Sequence, residues 1–114
     1  MELPNSDRAI TAREKLVNYL LNIEHERGGS KAKLLIECGY SNHNWQQLGN
    51  DIRSAHLSSD VREVKEVAYG IRYIIIAPLM TPSGRQLYVK TIWQIDKGTD
   101  IPRLITLLPV TKGR

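Results

Sequence analysis

The stretch Ile71-Arg72-Tyr73-Ile74-Ile75-Ile76-Ala77 decides the fold of this sequence. It is rich in β-branched residues and too short for a convincing helix before Pro78, so it predicts a central β-strand. Residues 61–67 precede it as a weaker strand, joined through a turn at residues 68–70. Their valines at positions 61, 64 and 67 also fit a helix, so this segment is open to both interpretations.

Two further strands follow the central one. Thr81-Pro82-Ser83-Gly84 predicts a turn, because proline fixes φ and glycine can adopt a positive φ. Residues 85–95 then predict a long strand, and residues 101–108 a fourth strand whose Pro102 places its start at an edge. The alternation of the long strand puts one set of side chains on a single face: Arg85, Leu87, Val89, Thr91, Trp93 and Ile95.

Three amphipathic segments lie before the strands. Thr11 and Glu14 have the spacing of a capping box, which predicts a helix from there to about residue 22. Ser30 is a favourable N-cap for a second helix, and Gly39 stands just after the predicted end of that helix.

The third segment completes the architecture. Ser41 or Asn42 can cap a helix with an apolar face that includes Trp45, Leu48 and Ile52. The sequence therefore predicts an α+β fold in which three N-terminal helices pack on a four-stranded antiparallel β-meander. We expect a single domain over residues 1–114, with a helical part at about residues 11–57 and a sheet part at about residues 61–109.

Composition limits the class of protein. The 114 residues are 41% hydrophobic and 25% charged, as in a soluble globular domain. No apolar run is long enough to span a membrane and the start lacks a secretory signal, so we expect a cytoplasmic protein. The single Cys38 cannot form an internal disulfide and is expected to be a buried thiol.

Charge is uneven along the chain. The net charge is +4. Residues 1–60 hold seven Lys/Arg and eight Asp/Glu, whereas residues 61–114 hold nine and four. A basic second half favours a polyanionic partner, although a surplus of this size is also common on ordinary soluble proteins.

The stretch His25-Glu26-Arg27-Gly28-Gly29-Ser30-Lys31-Ala32-Lys33 is the best candidate site. It places a histidine and two lysines around a flexible turn where a helix begins with unpaired backbone N–H groups. Such a corner suits a phosphate. A polar interhelical loop with solvated lysines is the alternative interpretation.

The sequence lacks the usual patterns of zinc sites and of nucleotide-binding loops. His25, His43 and His56 have spacings of no common zinc site, and no HExxH motif is present. Gly28-Gly29 lacks the spacing of a nucleotide-binding loop and follows a helix rather than a strand. We therefore expect neither a metal nor a cofactor.

Metal-free cleavage of RNA is compatible with these residue types. It needs a group that removes the proton of the 2′-hydroxyl, a group that protonates the leaving oxygen, and cations for the phosphate. His25 is the candidate acid or base. The candidate phosphate ligands are Lys31, Lys33, Arg85 and Arg103.

Two more residues are candidates for substrate binding. Thr91 could donate a hydrogen bond to the phosphate, and Trp93 could stack on a base. Each of these candidates also has a structural interpretation: Trp93 as core, Thr91 as a β-former, and Arg103 as a charge that protects a sheet edge.

A family resemblance rests on motifs along nearly the whole chain. The motif LLNxxHxxGxxKA begins at Leu20 and ends at Ala32, and it is followed by shorter matches. The sequence resembles a family of small uncharacterised bacterial domains, frequent in cyanobacteria, that are similar to the C-terminal modules of polymorphic toxins. Some members stand alone beside a small companion protein. The shorter matches are Gly39-Tyr40, Trp45, Pro78-Leu79, Gly84-Arg85, Val89, Thr91, Trp93 and Pro102-Arg103-Leu104.

The resemblance implies a toxin-like role. Helices followed by a four-stranded meander also resemble the barnase, colicin and RelE-like class of metal-independent ribonucleases. On this basis the sequence predicts a ribonuclease with His25, Lys31 and Arg85 as catalytic residues, and RNA and a small inhibitor or antitoxin protein as partners. The alternatives are a non-catalytic nucleic-acid-binding module and a protein-interaction domain paired with a small neighbouring protein.

Overall fold

A computed structural model of the protein describes residues 1–25 and 29–110, without the side chain of Ser30. The predicted α+β class is confirmed. None of the helices in the described residues is long and apolar enough to cross a membrane. The helical segments are a 3₁₀ turn at Ser6–Arg8, α1 at Arg13–Lys15, a π-helix at Leu16–Leu20, α2 at Gly29–Glu37, a 3₁₀ turn at Asn42–Asn44 and α3 at Trp45–His56. The strands are β1 at Glu63–Val67, β2 at Gly70–Met80, β3 at Gln86–Asp96 and β4 at Arg103–Pro109.

The four strands form one antiparallel sheet in the order β1-β2-β3-β4, as the sequence predicts. The ambiguous segment at residues 63–67 is a strand. Pro78 does not end the central strand, which continues to Met80. Because β1 pairs with β2 only as far as Ile74, Pro78 lies where β2 has no neighbour on that side, and its missing N–H removes no bond to β1.

The N-terminal segment also touches the sheet. Ile10 forms an isolated parallel bridge with Arg103, in which the Ile10 nitrogen donates to the Pro102 carbonyl at 2.8 Å. Strand-like pairing therefore occurs ahead of the first helix as well as after the last one. This bridge covers the start of β4, which is an edge strand as Pro102 suggested.

The first helix differs from its prediction. Its N-cap is Ala12, which makes no side-chain cap, so the capping box of Thr11 and Glu14 is not formed. After three residues the α-helix becomes the π-helix, in which the Leu21 nitrogen donates to the Leu16 carbonyl at 2.9 Å. Packing on α3 is close here, since a Cβ on Gly49 would lie 3.2 Å from Leu16 Cδ1.

The other helix ends follow the sequence more closely. Helix α2 begins at Gly29, so Ser30 lies inside it, and the predicted turn at residues 26–28 lies outside the described residues. Gly39 has φ of 104° directly after α2, as expected. Ser41 caps the helical turn that leads into α3, with Asn44 as the reciprocal partner of a capping box.

The helices cover one face of the sheet, and the core lies between the two layers. Cys38 is a buried thiol, as predicted. The inward face of β3 matches its predicted alternation from Leu87 to Trp93. The largest fully buried side chains come from both layers: Leu16, Leu20, Leu21, Leu35, Tyr40, Leu48, Ile52, His56, Ile75, Leu79, Trp93 and Leu107.

A buried polar network joins α3 to the middle of the sheet. His56 is fully buried, and its Nδ1 lies 2.7 Å from Thr91 Oγ1. Trp93 Nε1 donates to the same oxygen at 2.9 Å. Burial lowers the pKa of His56 to about 4, against a smaller opposing effect of the nearby Ala77 backbone. The histidine is therefore held neutral in the folded protein.

This network predicts a loss of stability in mild acid. His56 binds a proton near pH 6.5 in the unfolded chain and only near pH 4 in the folded chain. The contribution of neutral His56 to folding stability is therefore fully present above pH 6.5 and is lost as the pH falls from 6.5 to 4. Since one pKa unit corresponds to roughly 1.4 kcal/mol, we expect the free energy of unfolding to fall by about 3 kcal/mol. Urea unfolding at several pH values measures it.

His56→Gln removes the titrating group and should flatten this dependence. His43→Gln, at an exposed histidine, is the matched control and should retain it. An unchanged pH dependence in His56→Gln would show that other groups cause the loss.

Candidate functional site

Three polar side chains from distant parts of the chain meet beside β4. Lys31 Nζ donates to the Tyr19 hydroxyl and, at 3.0 Å, to Thr106 Oγ1. The two hydroxyls are themselves 3.0 Å apart and hydrogen-bonded. Each of the three polar groups is thus bonded to the other two, and we call them the Tyr19–Lys31–Thr106 cluster.

The cluster retains donors for a ligand. An ammonium group has three N–H bonds, and the two hydroxyls have one proton each. The described bonds use two of the N–H groups and one of the hydroxyl protons. One N–H and one O–H therefore remain to bind an anion that approaches the cluster.

His25 lies against the same tyrosine. Its ring centroid is 4.8 Å from that of Tyr19, with the planes at 71° in an edge-on contact. The backbone of His25 is held on both sides: its nitrogen donates to the Asn22 carbonyl at 3.2 Å, and its carbonyl accepts from the Gly29 nitrogen at 3.0 Å. His25 and Lys31, which lie close together in the sequence motif, therefore both contact Tyr19.

Two irregularities of the backbone position these residues. Tyr19 belongs to the π-helix, a conformation that is common at functional sites. In β4, Thr106 pairs with Ile92 and Leu104 with Trp93, so Ile105 is the extra residue of a β-bulge. As a result two consecutive side chains, Ile105 and Thr106, line the same cleft.

The cleft is a shallow opening of about 390 Å³. The described residues that line it include no carboxylate, so their groups suit an anion better than a cation. In residues 1–25 and 29–110, no group of three or more His, Cys, Asp or Glu side chains is placed to hold a metal ion. The lining residues are Lys15, Tyr19, His25, Ile105 and Thr106.

Positive charge surrounds Tyr19. Lys15 Nζ lies 5.2 Å and Lys31 Nζ 4.5 Å from the centre of its ring. Burial raises the pKa of the Tyr19 phenol, but the hydrogen bonds from Lys31 and Thr106 and the charges of Lys31 and Lys15 outweigh it and lower this pKa from 10.0. Loss of the Tyr19 proton is therefore easier than in a solvated tyrosine.

Three basic residues predicted for the site lie elsewhere. Lys33 is exposed and follows Lys31 by two residues, which is roughly 200° around α2. Arg85 is seven residues before the Ile92 that pairs with Thr106, or about 23 Å of strand. Arg103 bonds the Asp96 carboxylate with two nitrogens, at 2.7 and 3.2 Å.

The two predicted substrate-binding residues on β3 are inside the core. Thr91 and Trp93 are both fully buried; Trp93 bonds to Thr91, and Thr91 to His56, rather than to the cleft. Neither has surface available to a ligand in this structure. Thr91 is thus a buried strand residue and Trp93 a core aromatic residue, as in the structural alternatives that the sequence offered.

Sequence reasoning missed Tyr19 and Thr106 as site residues. Tyr19 falls within the run Leu16–Leu20, whose apolar spacing indicates a helix that faces the core. That pattern gives no sign that the Tyr19 hydroxyl takes part in a polar site. Thr106 lies in an ordinary β-strand pattern. The signal that was available is the position of Tyr19 six residues before His25 in the stretch that carries the resemblance.

Comparison with known proteins places the chain in a family. The model of the family described as "Domain of unknown function (DUF6883)" matches residues 2–111. The chain belongs to the DUF6883 family. A comparison with curated proteins gives no match.

The fold is similar to that of a chain in a solved structure. It is described as "Contact-dependent growth inhibition toxin - immunity protein complex from Klebsiella pneumoniae 342". The match has a TM-score of 0.73 and 18% sequence identity, and it covers 93% of this DUF6883 chain and 97% of the other chain. At this identity the likeness shows a common fold.

Proposed function

We propose that the protein is a toxin-like ribonuclease that cleaves RNA without a metal ion. The observation that carries the proposal is the meeting of His25 with the Tyr19–Lys31–Thr106 cluster at one open cleft. The cleft offers the His25 imidazole, a type of side chain that transfers protons in catalysis, and one free hydroxyl proton, and the Lys31 ammonium with its remaining N–H is bonded to two residues that line it. A base for the 2′-hydroxyl and hydrogen-bond donors for the phosphate are two of the requirements of attack by a ribose 2′-hydroxyl on the adjacent phosphate.

Each residue has a proposed role. Lys31 holds a non-bridging oxygen of the phosphate and stabilises the charge that grows on it in the transition state. Thr106 holds Lys31 and Tyr19 in place through its hydrogen bonds to both. His25 removes the proton of the 2′-hydroxyl. Lys15 adds positive charge at the mouth of the cleft, which favours the approach of a polyanion.

For the basic residues outside the cleft we propose a role in binding RNA rather than in its cleavage. Lys33, Arg85 and Arg103 are too dispersed to hold one phosphate together with Lys31. They are proposed to contact other phosphates of a longer RNA. Replacing any of them should weaken RNA binding at moderate salt more than it slows cleavage of bound RNA.

The central test is cleavage of total RNA by the purified protein in EDTA, read as fragments on a gel. We expect wild type to cleave. His25→Ala should lower the rate by about 10²- to 10⁴-fold, as for loss of a general acid or base. Lys31→Met should lower it by about 10²- to 10³-fold, as for loss of one donor to the transition state.

Lys97→Met is the matched control, because Lys97 is an exposed lysine in the turn after β3. It should cleave like wild type. Intact RNA with the wild-type protein would contradict the proposal. Binding to RNA that weakens steeply with salt, without cleavage, would instead support a nucleic-acid-binding module.

A small partner protein is the second part of the proposal. The similar solved structure is a complex of a toxin with an immunity protein. For this chain we propose the toxin role, with a partner that covers the cleft and blocks access of RNA. A protein with the immunity role would need no open cleft with protonatable groups.

Expression in bacteria distinguishes the two roles. Wild type should arrest growth when its synthesis is induced in the bacterial cytoplasm, because cellular RNA is degraded. His25→Ala and Lys31→Met, produced at the same level, should not. Normal growth with the wild-type protein, together with intact cellular RNA, would count against the toxin role.

A further inference from the structure

The proposed reaction requires two proton transfers, but the described part of the cleft holds a single histidine. One proton leaves the 2′-hydroxyl and another must reach the departing 5′-oxygen. His25 supplies one of these transfers. Tyr19 and Lys15 are the other protonatable residues that line the cleft. Of the two, Tyr19 is in ring contact with His25 and is held by hydrogen bonds with Lys31 and Thr106.

We propose that Tyr19 is the general acid of this cleft and gives its hydroxyl proton to the 5′-oxygen of the leaving RNA fragment. This inference rests on the proposed ribonuclease function. It adds a catalytic residue that neither the sequence motifs nor the family assigns. Lys31 then acts on Tyr19 as well as on the phosphate, and Thr106 gives its one hydroxyl proton to the Tyr19 oxygen in a hydrogen bond.

The hydrogen bonds around the phenol favour this direction of transfer. Lys31 can only donate to the Tyr19 oxygen. When Thr106 also donates to that oxygen, the Tyr19 proton is left to point at a ligand. Both donors then strengthen their bonds as negative charge develops on the phenolate, so the surroundings stabilise the form that has given up its proton.

The step balances. A bond forms between the 2′-oxygen and phosphorus while the bond between phosphorus and the 5′-oxygen breaks. The 2′-hydroxyl proton passes to the His25 ring, and the Tyr19 proton passes to the 5′-oxygen. The products are a 2′,3′-cyclic phosphate and a 5′-hydroxyl, and exchange with water returns a proton from His25 to solvent and one from solvent to Tyr19.

A change of leaving group isolates this role. The substrate is the RNA oligonucleotide that wild type cleaves in EDTA, compared with the same oligonucleotide carrying sulfur in place of the 5′-oxygen at the cleaved bond. A thiolate departs without a proton. Tyr19→Phe keeps the ring that contacts His25 and removes only the hydroxyl.

We expect Tyr19→Phe to lower kcat/KM for the oxygen substrate by about 10²-fold or more, and for the sulfur substrate by less than about threefold. His25→Ala should slow both. Equal losses on both substrates in Tyr19→Phe would overturn the assignment and make Tyr19 a positioning residue. Failure of wild type to cleave either substrate would overturn the proposed function itself.

A second variant guards against loss of the fold. Incorporation of 3-fluorotyrosine at position 19 retains the hydroxyl and its hydrogen bonds but makes the phenol more acidic. The alkaline limb of the pH profile for the oxygen substrate should then move to lower pH. An alkaline limb that stays in place would contradict proton donation by Tyr19.

Discussion

The hydrogen bonds among Tyr19, Lys31 and Thr106 connect the two halves of this molecule at its candidate site. They join residues that are 12, 75 and 87 positions apart. The three elements are a short helical segment, an amphipathic helix and an edge strand. The cleft exists because these three elements are fixed against one another, and the core below them provides that support through residues such as Leu20 and Leu107.

The same contacts link structure to chemistry. A lysine that is bonded to two hydroxyls has a defined position for its remaining N–H, so little reorganisation is needed when an anion binds. The π-helix and the β-bulge give the local geometry, since a regular helix and a regular strand would direct Tyr19 and Thr106 differently. Departures from regular backbone thus coincide with the residues to which we assign function.

Most of the fold could be predicted from the sequence because its signals are local. The alternation along β3, the turn closed by Gly84 and the cap at Ser41 each depend on neighbours a few residues away. The capping box at Thr11 failed because the first helix begins one residue later and packs closely on Gly49, a tertiary effect. The site could be predicted only in part: His25 and Lys31 share a short motif, whereas Thr106 reaches them through a bulge that depends on pairing between β3 and β4.

The most direct measurement of the central claim is the chemistry of the RNA ends. A short RNA is incubated with wild-type protein in EDTA, and the fragments are identified by mass spectrometry. The account predicts 2′,3′-cyclic phosphates on one fragment and 5′-hydroxyls on the other, with no cleavage where the ribose lacks its 2′-hydroxyl. Fragments ending in a 3′-hydroxyl and a 5′-phosphate, or an RNA that stays intact, would contradict it.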